Sequence, residues 1–328
     1  MISVLWKVSK SWDIRMKKYL SDKTSLPIPW VESPFFYSLL QNSDLTDEEK
    51  ELCTKYHEDG YVVIDVGLSP EEMGAVVDDM YAALAEEDTV YHADHFQYTE
   101  SKRIFELWKQ SNAAASLCIN EKIMETLRLL YDREPIPFST INFIKGSNQP
   151  LHSDVIHFHT YPKLWMCGVW VAFEDVDETN GSLKIVPGSH KWNLWEYDEL
   201  GYPHPDNIAD GEEVNYREYE NFISQLVKEK GLDPHIAQLK KGQALIWAAN
   251  LLHGGSNVEG ITDLQKTRLT QAQHYFFEGC EKHYHPMFSQ KYEGEYALKW
   301  CSDENNIQTF LETGKVDIFG KTITRNEK

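Results

Sequence analysis

The 328-residue chain is poor in cysteine: five are scattered (Cys53, Cys118, Cys167, Cys280 and Cys301), and no two are spaced as a redox or metal-binding pair. A sparse, odd set argues against a disulfide framework and for reduced thiols. The chain also lacks any run near the roughly 18 consecutive apolar residues that a membrane helix needs. Residues 1–7 carry neither a signal-length apolar run nor a small-residue cleavage site, so a cytoplasmic protein is expected. Basic residues are outnumbered, 32 against 52 acidic, for a formal net charge of −20. Such a field repels nucleic acid and anionic membranes, and neither is expected as a partner. A cationic pocket for an anionic small molecule stays compatible with it. There is no internal repeat and no low-complexity tract.

What is present suits a globular fold, with 41% hydrophobic residues to fill a core. Residues 1–45 read as an N-terminal extension of mixed charge, with Pro27, Pro29 and Pro34 among aromatics. A main domain is expected over 46–278. Thr46-Asp47-Glu48-Glu49 and Ser69-Pro70-Glu71-Glu72 are capping boxes that start helices, and Gly60 sits where the first should stop. Met73, Val76, Val77, Met80 and Leu84 recur at helical spacing, and a further helix is expected over 120–131. From Pro137 onward the signal changes to short strands, at 138–144, 164–173, 183–186, 244–247 and 268–277, separated by turn residues. Helices followed by many short strands predict a mainly β sandwich or jelly roll with flanking helices. An acidic, aromatic stretch at 196–235 interrupts the strands as an insertion, either a lid or binding loop or a solvated surface helix. Residues 279–328 form an aromatic tail expected to pack onto the domain.

His152-Ser153-Asp154 follows a predicted strand, and residues at i and i+2 of extended chain project to one face. One imidazole and one carboxylate can then grip an ion from one side. His253 is the best third candidate, because Gly254-Gly255 beside it would leave room near a metal. Two histidines and a carboxylate leave three positions open, which suits non-haem iron(II) that must also bind co-substrate and dioxygen.

Several segments occur together in order. They are Asn142-Phe143, Gln149 through Asp154, Gly168 through Asp175, Asn180-Gly181-Ser182-Leu183, Pro187-Gly188-Ser189-His190, Gly242 through Trp247, Leu252-His253-Gly254-Gly255 and Arg268. This combination resembles the phytanoyl-CoA dioxygenase family over about residues 45–278. The resemblance implies a double-stranded β-helix (cupin-like) core, iron(II) as cofactor, and 2-oxoglutarate and O2 as co-substrates. It maps the metal ligands and catalytic centre onto His152, Asp154 and His253, and the partner of the distal 2-oxoglutarate carboxylate onto Arg268. Trp170 matches a tryptophan lining the co-substrate site. The activity implied is hydroxylation of a C–H bond in a small polar molecule, with succinate and carbon dioxide as co-products. Asp154 keeps the carboxylate that halogenating relatives replace, which argues against halogenation.

Other residues near these motifs are candidates by position. Asn142 could bond to 2-oxoglutarate, while Gln149, His157, His159 and Arg103 could meet substrate. His274 shares strand parity with Arg268, although a bonded core histidine is the plainer reading. His190 reads as structural, His283 and His285 as surface residues, and residues 259–266 as a small loop insertion. Two rivals use the same fold: a cupin-like metal-dependent isomerase or epimerase, and a non-catalytic carbohydrate-binding jelly roll. Neither has a use for Arg268 as a co-substrate anchor.

Overall fold

The computed structural model describes residues 27–85, 103–201, 208–256, 266–280, 282–292, 295–300, 315–318 and 321–324. Residues 1–26 of the expected extension, 202–207 of the insertion, 259–265 of the expected loop insertion and 301–314 of the tail lie outside them. Only the backbone is described for residues 208–215 and beyond 280, so the reading of His283 and His285 lies outside what is described. No helix among the described residues is long and apolar enough to cross a membrane.

The helical part follows its caps. Helix α1 (Phe36–Gln41) leads into α2 (Asp47–Asp59). There the Glu49 amide donates to the Thr46 hydroxyl, and the Thr46 amide donates back to the Glu49 carboxylate. Gly60 ends α2 in the left-handed region at φ 81°. After strand β1 (Tyr61–Asp65), Ser69 and Glu72 repeat the reciprocal cap at the start of α3 (Pro70–Ala85). Arg103 opens a short strand, β2 (Arg103–Phe105), and α4 (Asn112–Leu117) and α5 (Glu121–Tyr131) follow. Ile123, Leu127 and Leu130 of α5 are fully buried, as their spacing predicts.

The strands then run β3 (Pro135–Phe143), β4 (His159–Tyr161), β5 (Met166–Ala172) and β6 (Leu183–Ile185). Helices α6 (Tyr197–Leu200) and α7 (Ile208–Glu229) occupy the insertion. Next come β7 (His235–Ile236), β8 (Gln243–Ala248), β9 (His253–Gly255) and β10 (Thr270–Phe277). The tail supplies β11 (Lys282–Tyr292), β12 (Glu295–Trp300), β13 (Lys315–Ile318) and β14 (Lys321–Thr324). Strand β3 starts before Pro137, at Pro135, and Pro137 borders the β3–β10 register shift between His274 and Tyr275.

A six-stranded sheet in the order β1-β8-β5-β10-β3-β2 faces a small sheet β7-β6-β9. This is the mainly β, jelly-roll core with flanking helices that the sequence predicts. The period-2 alternation decides what each face does. On β5, Cys167, Val169 and Val171 join Val76, Met80, Ile123 and Leu127 in the core beneath the helices. Trp170 and Ala172 turn inward, with Leu245, Trp247, Ile185 and Leu239, into the space between the sheets. Burying one such aliphatic side chain is worth about 1.5–3 kcal/mol, so both faces fix the strand register. β5 is buried along its whole length.

Candidate metal centre

The small sheet carries the site. His152 forms an antiparallel bridge with His253 at the start of β9, each amide donating to the other's carbonyl at 2.9 Å. Asp154, two residues on, opens a single 3-10 turn over Asp154–Ile156. One oxygen, Asp154 Oδ1, lies 4.0 Å from His152 Nε2 and 3.6 Å from His253 Nε2. One ligand atom from each of the three side chains falls within 4.8 Å of the others, and all three residues are buried.

Backbone carbonyls set the tautomers. His152 Nδ1 lies 3.0 Å from the Pro150 carbonyl and His253 Nδ1 2.9 Å from the Leu251 carbonyl. A carbonyl can only accept, so each Nδ1 carries the hydrogen and each Nε2 a lone pair, that of His152 accepting from the Gln149 amide at 3.2 Å. Burial, followed by the neighbouring His253, pushes the His152 pKa well below the usual histidine range. Burial alone would raise the Asp154 carboxyl; His253, His274, His152 and the Trp247 N–H outweigh it and hold the group below its ordinary value. Two imidazoles and a carboxylate thus converge on one point, a donor set that fits a first-row divalent ion with open positions.

The triad opens into a cavity of about 220 Å³. Arg268 lines it and is 1% exposed. Its Nη1 donates to the Gly181 carbonyl at 2.7 Å, while Nε has no hydrogen-bond partner among the described residues. The guanidinium packs over Phe143, 4.8 Å from the ring centre, and over Trp170 at 5.5 Å. Burial, with the charge of Arg103, pushes its pKa down to about 9. It is a desolvated cation with an unused donor edge, and a carboxylate matches that edge with two parallel hydrogen bonds.

The cavity brings together most of the residues picked out from the sequence. Trp170, Gln149, His157 and Arg103 all line it with the triad and Arg268. Arg103 Nη2 donates to Gln149 Oε1 at 3.3 Å, the Gln149 amide donates to Tyr216 Oη at 3.2 Å, and His157 Nε2 lies 3.2 Å from the same hydroxyl.

Two candidates are corrected. Asn142 was expected at the co-substrate, but it projects from the other face of β3, where its amide donates to Gln271 Oε1 at 2.9 Å. Its neighbours Ile141 and Phe143 are the ones that line the cavity. His159 was expected near substrate; instead its Nδ1 bonds to Glu196 and its Nε2 accepts from the Leu164 amide at 3.3 Å, a buried clamp that ties the insertion to β4. The 3-10 turn breaks extended parity, so His157 reaches the cavity and His159 does not.

Gly254 and Gly255 make room chiefly for chain. A Cβ at Gly254 would lie 2.6 Å from the Gln149 carbonyl oxygen, and one at Gly255 would strike Ser147 and the Asn148 amide. Their small size lets the loop before His152 lie directly on β9.

Further residues bear on the site. Trp247 Nε1 donates to Asp154 Oδ2 at 2.7 Å. His274 faces the cavity, as its parity with Arg268 suggested and against the plainer reading of a bonded core histidine, with Nε2 3.7 Å from Asp154 Oδ2 and Nδ1 without a partner among the described residues. Tyr216 belongs to α7, and one turn later Tyr219 Oη accepts from the Ser153 amide at 3.0 Å. The insertion therefore packs on the metal loop. The Trp247 and His274 positions follow from strand alternation once the inner face is known; no local signal ties Tyr216 to a loop so distant in sequence. His190 is structural as expected, its Nε2 lying 3.1 Å from the His57 carbonyl, and the adjacent Ser189 hydroxyl accepts from the Leu252 amide next to His253.

The fold and the triad together define a jelly-roll protein with a two-histidine, one-carboxylate cluster that could hold a metal ion. Residues 56–260 match the family described as Phytanoyl-CoA dioxygenase (PhyH). That match takes in more than half of the sequence, and the chain belongs to this family. It is 39% identical over 184 residues to the peroxisomal phytanoyl-CoA dioxygenase of Mus musculus, covering 56% of this chain and 50% of the mouse protein. The chain thus matches about half the length of that relative. With ectoine dioxygenase of Nocardia farcinica it shares 23% identity over 245 residues, 72% of this chain and 79% of that protein. Among solved structures it is similar to EctD from S. alaskensis, crystallised with 2-oxoglutarate and 5-hydroxyectoine. The TM-score is 0.55 at 20% identity, covering 77% of this chain and 85% of the other, which bears on the fold.

Proposed function

We propose that this protein is an iron(II)- and 2-oxoglutarate-dependent dioxygenase that hydroxylates a C–H bond of a small polar molecule. The observation that carries the reading is one cavity holding both a three-donor centre and, on its wall, a buried guanidinium whose Nε has no partner among the described residues. His152, Asp154 and His253 would hold iron(II) from one side. Arg268 would take the distal carboxylate of 2-oxoglutarate between Nε and Nη2, since the Gly181 carbonyl already engages Nη1. The bound metal, 2-oxoglutarate and dioxygen together supply an oxidant able to take hydrogen from a C–H bond, with succinate and carbon dioxide released.

The remaining work belongs to the chain. Phe143 and Trp170 keep Arg268 dry, which strengthens its hold on an anion. Gln149, His157 and Arg103, linked through Tyr216, offer hydrogen bonds to orient a polar substrate beside the metal. Phe105, Ile141 and Phe158 wall the cavity and limit water near the reacting carbon.

The test is anaerobic titration of the apoprotein with iron(II) and then 2-oxoglutarate, followed by the weak visible charge-transfer band of the chelate. The band is expected in the wild type, absent in His152→Ala and weakened in Arg268→Ala. A folded protein that yields no band would overturn the proposal in favour of an isomerase or a binding protein.

A further inference from the structure

We propose that Trp247 is a positioning residue that holds Asp154 to one-oxygen ligation, and that Gly168 exists to admit its ring. The inference rests on the metal-centre reading above and concerns how the centre keeps its open positions.

Trp247 on β8 and His274 on β10 are the cross-strand partners of Gly168, one on either side of β5. A Cβ at position 168 would overlap the Trp247 indole ring. With glycine there, the ring lies across the strand and its Nε1–H reaches Asp154 Oδ2 at 2.7 Å, inside the protein. The other oxygen, Oδ1, is the one that faces His152 and His253. The two carboxylate oxygens are therefore assigned different work: Oδ2 takes the indole hydrogen bond, with His274 Nε2 farther off at 3.7 Å, and Oδ1 faces the metal position.

The division matters because a carboxylate can bind through either one or both oxygens. A six-coordinate ion held by two imidazoles and a two-oxygen carboxylate keeps two positions, enough for a chelating 2-oxo acid and none for dioxygen. One-oxygen ligation leaves the third position open. An indole N–H is well suited to enforce it, because it donates, cannot itself ligate and does not ionise. Outer partners of this kind commonly change metal affinity by about 10–100-fold when removed.

Cobalt(II) is the probe, because it reports binding without turnover. Wild-type protein is expected to give, in the metal-loaded minus apo infrared difference, the wide asymmetric–symmetric carboxylate splitting of one-oxygen ligation. Trp247→Phe, and replacement of Trp247 by β-(3-benzothienyl)alanine, which keeps the bicyclic shape without the N–H, should narrow that splitting. Both should weaken cobalt(II) binding by about 10–100-fold. Gly168→Ala should do the same by displacing the ring. If Trp247→Phe does not fold, the benzothienyl and Gly168→Ala proteins carry the test. Wild-type splitting and affinity in the folded variants would overturn the proposal and leave the oxygenase reading standing. A wild-type chain that binds no cobalt(II) would overturn both.

Discussion

Both faces of the six-stranded sheet bury polar side chains, yet they are different chemical places. Beneath the helices, Asn142 donates to Gln271, Gln271 to Gln273 and the Ala114 carbonyl, Gln273 to Tyr275, and Tyr275 to the Cys118 carbonyl. That ladder is nearly closed on itself, with Asn142 Oδ1 left over, and the neighbouring Thr140 Oγ1 also lacks a partner among the described residues. On the inner face, Arg268 Nε, Trp170 Nε1 and His274 Nδ1 are all without partners among the described residues. Burial of a polar group therefore does not mark function; what separates the faces is that the unspent groups of the inner face include a charged guanidinium and two ring nitrogens, whereas the ladder leaves one amide oxygen and a nearby hydroxyl.

Three substitutions would sharpen or break this contrast. Arg268→Lys keeps the charge and removes the fork. The 2-oxoglutarate concentration for half-saturation of the charge-transfer band should rise about 100-fold, a loss of about 2.7 kcal/mol, with little change in melting temperature. Unchanged affinity would mean that the open donor edge has no role. Gln271→Leu on the outer face should do the reverse. It strands the partners of the ladder and should lower stability by about 1–3 kcal/mol in urea unfolding, while iron and 2-oxoglutarate titrations match the wild type. A large loss of binding there would erase the distinction between faces. The smallest effect is expected at the rim, where Tyr216→Phe removes the hydroxyl shared by Gln149 and His157. It should cost about 0.5–1.5 kcal/mol in urea unfolding and leave the metal titration unaltered.

Much of this architecture is legible in the chain. The capping boxes at Thr46 and Ser69 satisfy orphan amides locally, so three or four residues suffice to see them. The triad is legible because its chemistry needs particular residue types, and the supporting motifs have local work: Gly181 presents a carbonyl to Arg268, and Ser189 holds the Leu252 amide. Asn142 is misread for a different reason. Alternation says that it and Phe143 face opposite ways, but only the packed sheets say which way is in. His159 is misread because one 3-10 turn resets the parity, and Tyr216 is invisible because its partners come from a distant segment.

Gly168 has a consequence for anyone who would improve this protein. A glycine inside a strand weakens it by roughly 0.5–1 kcal/mol relative to alanine, so stabilisation campaigns routinely nominate such positions for replacement. Here the missing methyl group is the seat of the indole that touches Asp154. The most conventional repair of the central sheet would thus be made at the expense of the centre's geometry. On this scaffold, the familiar compromise between robustness and activity is concentrated in the space of a single carbon atom.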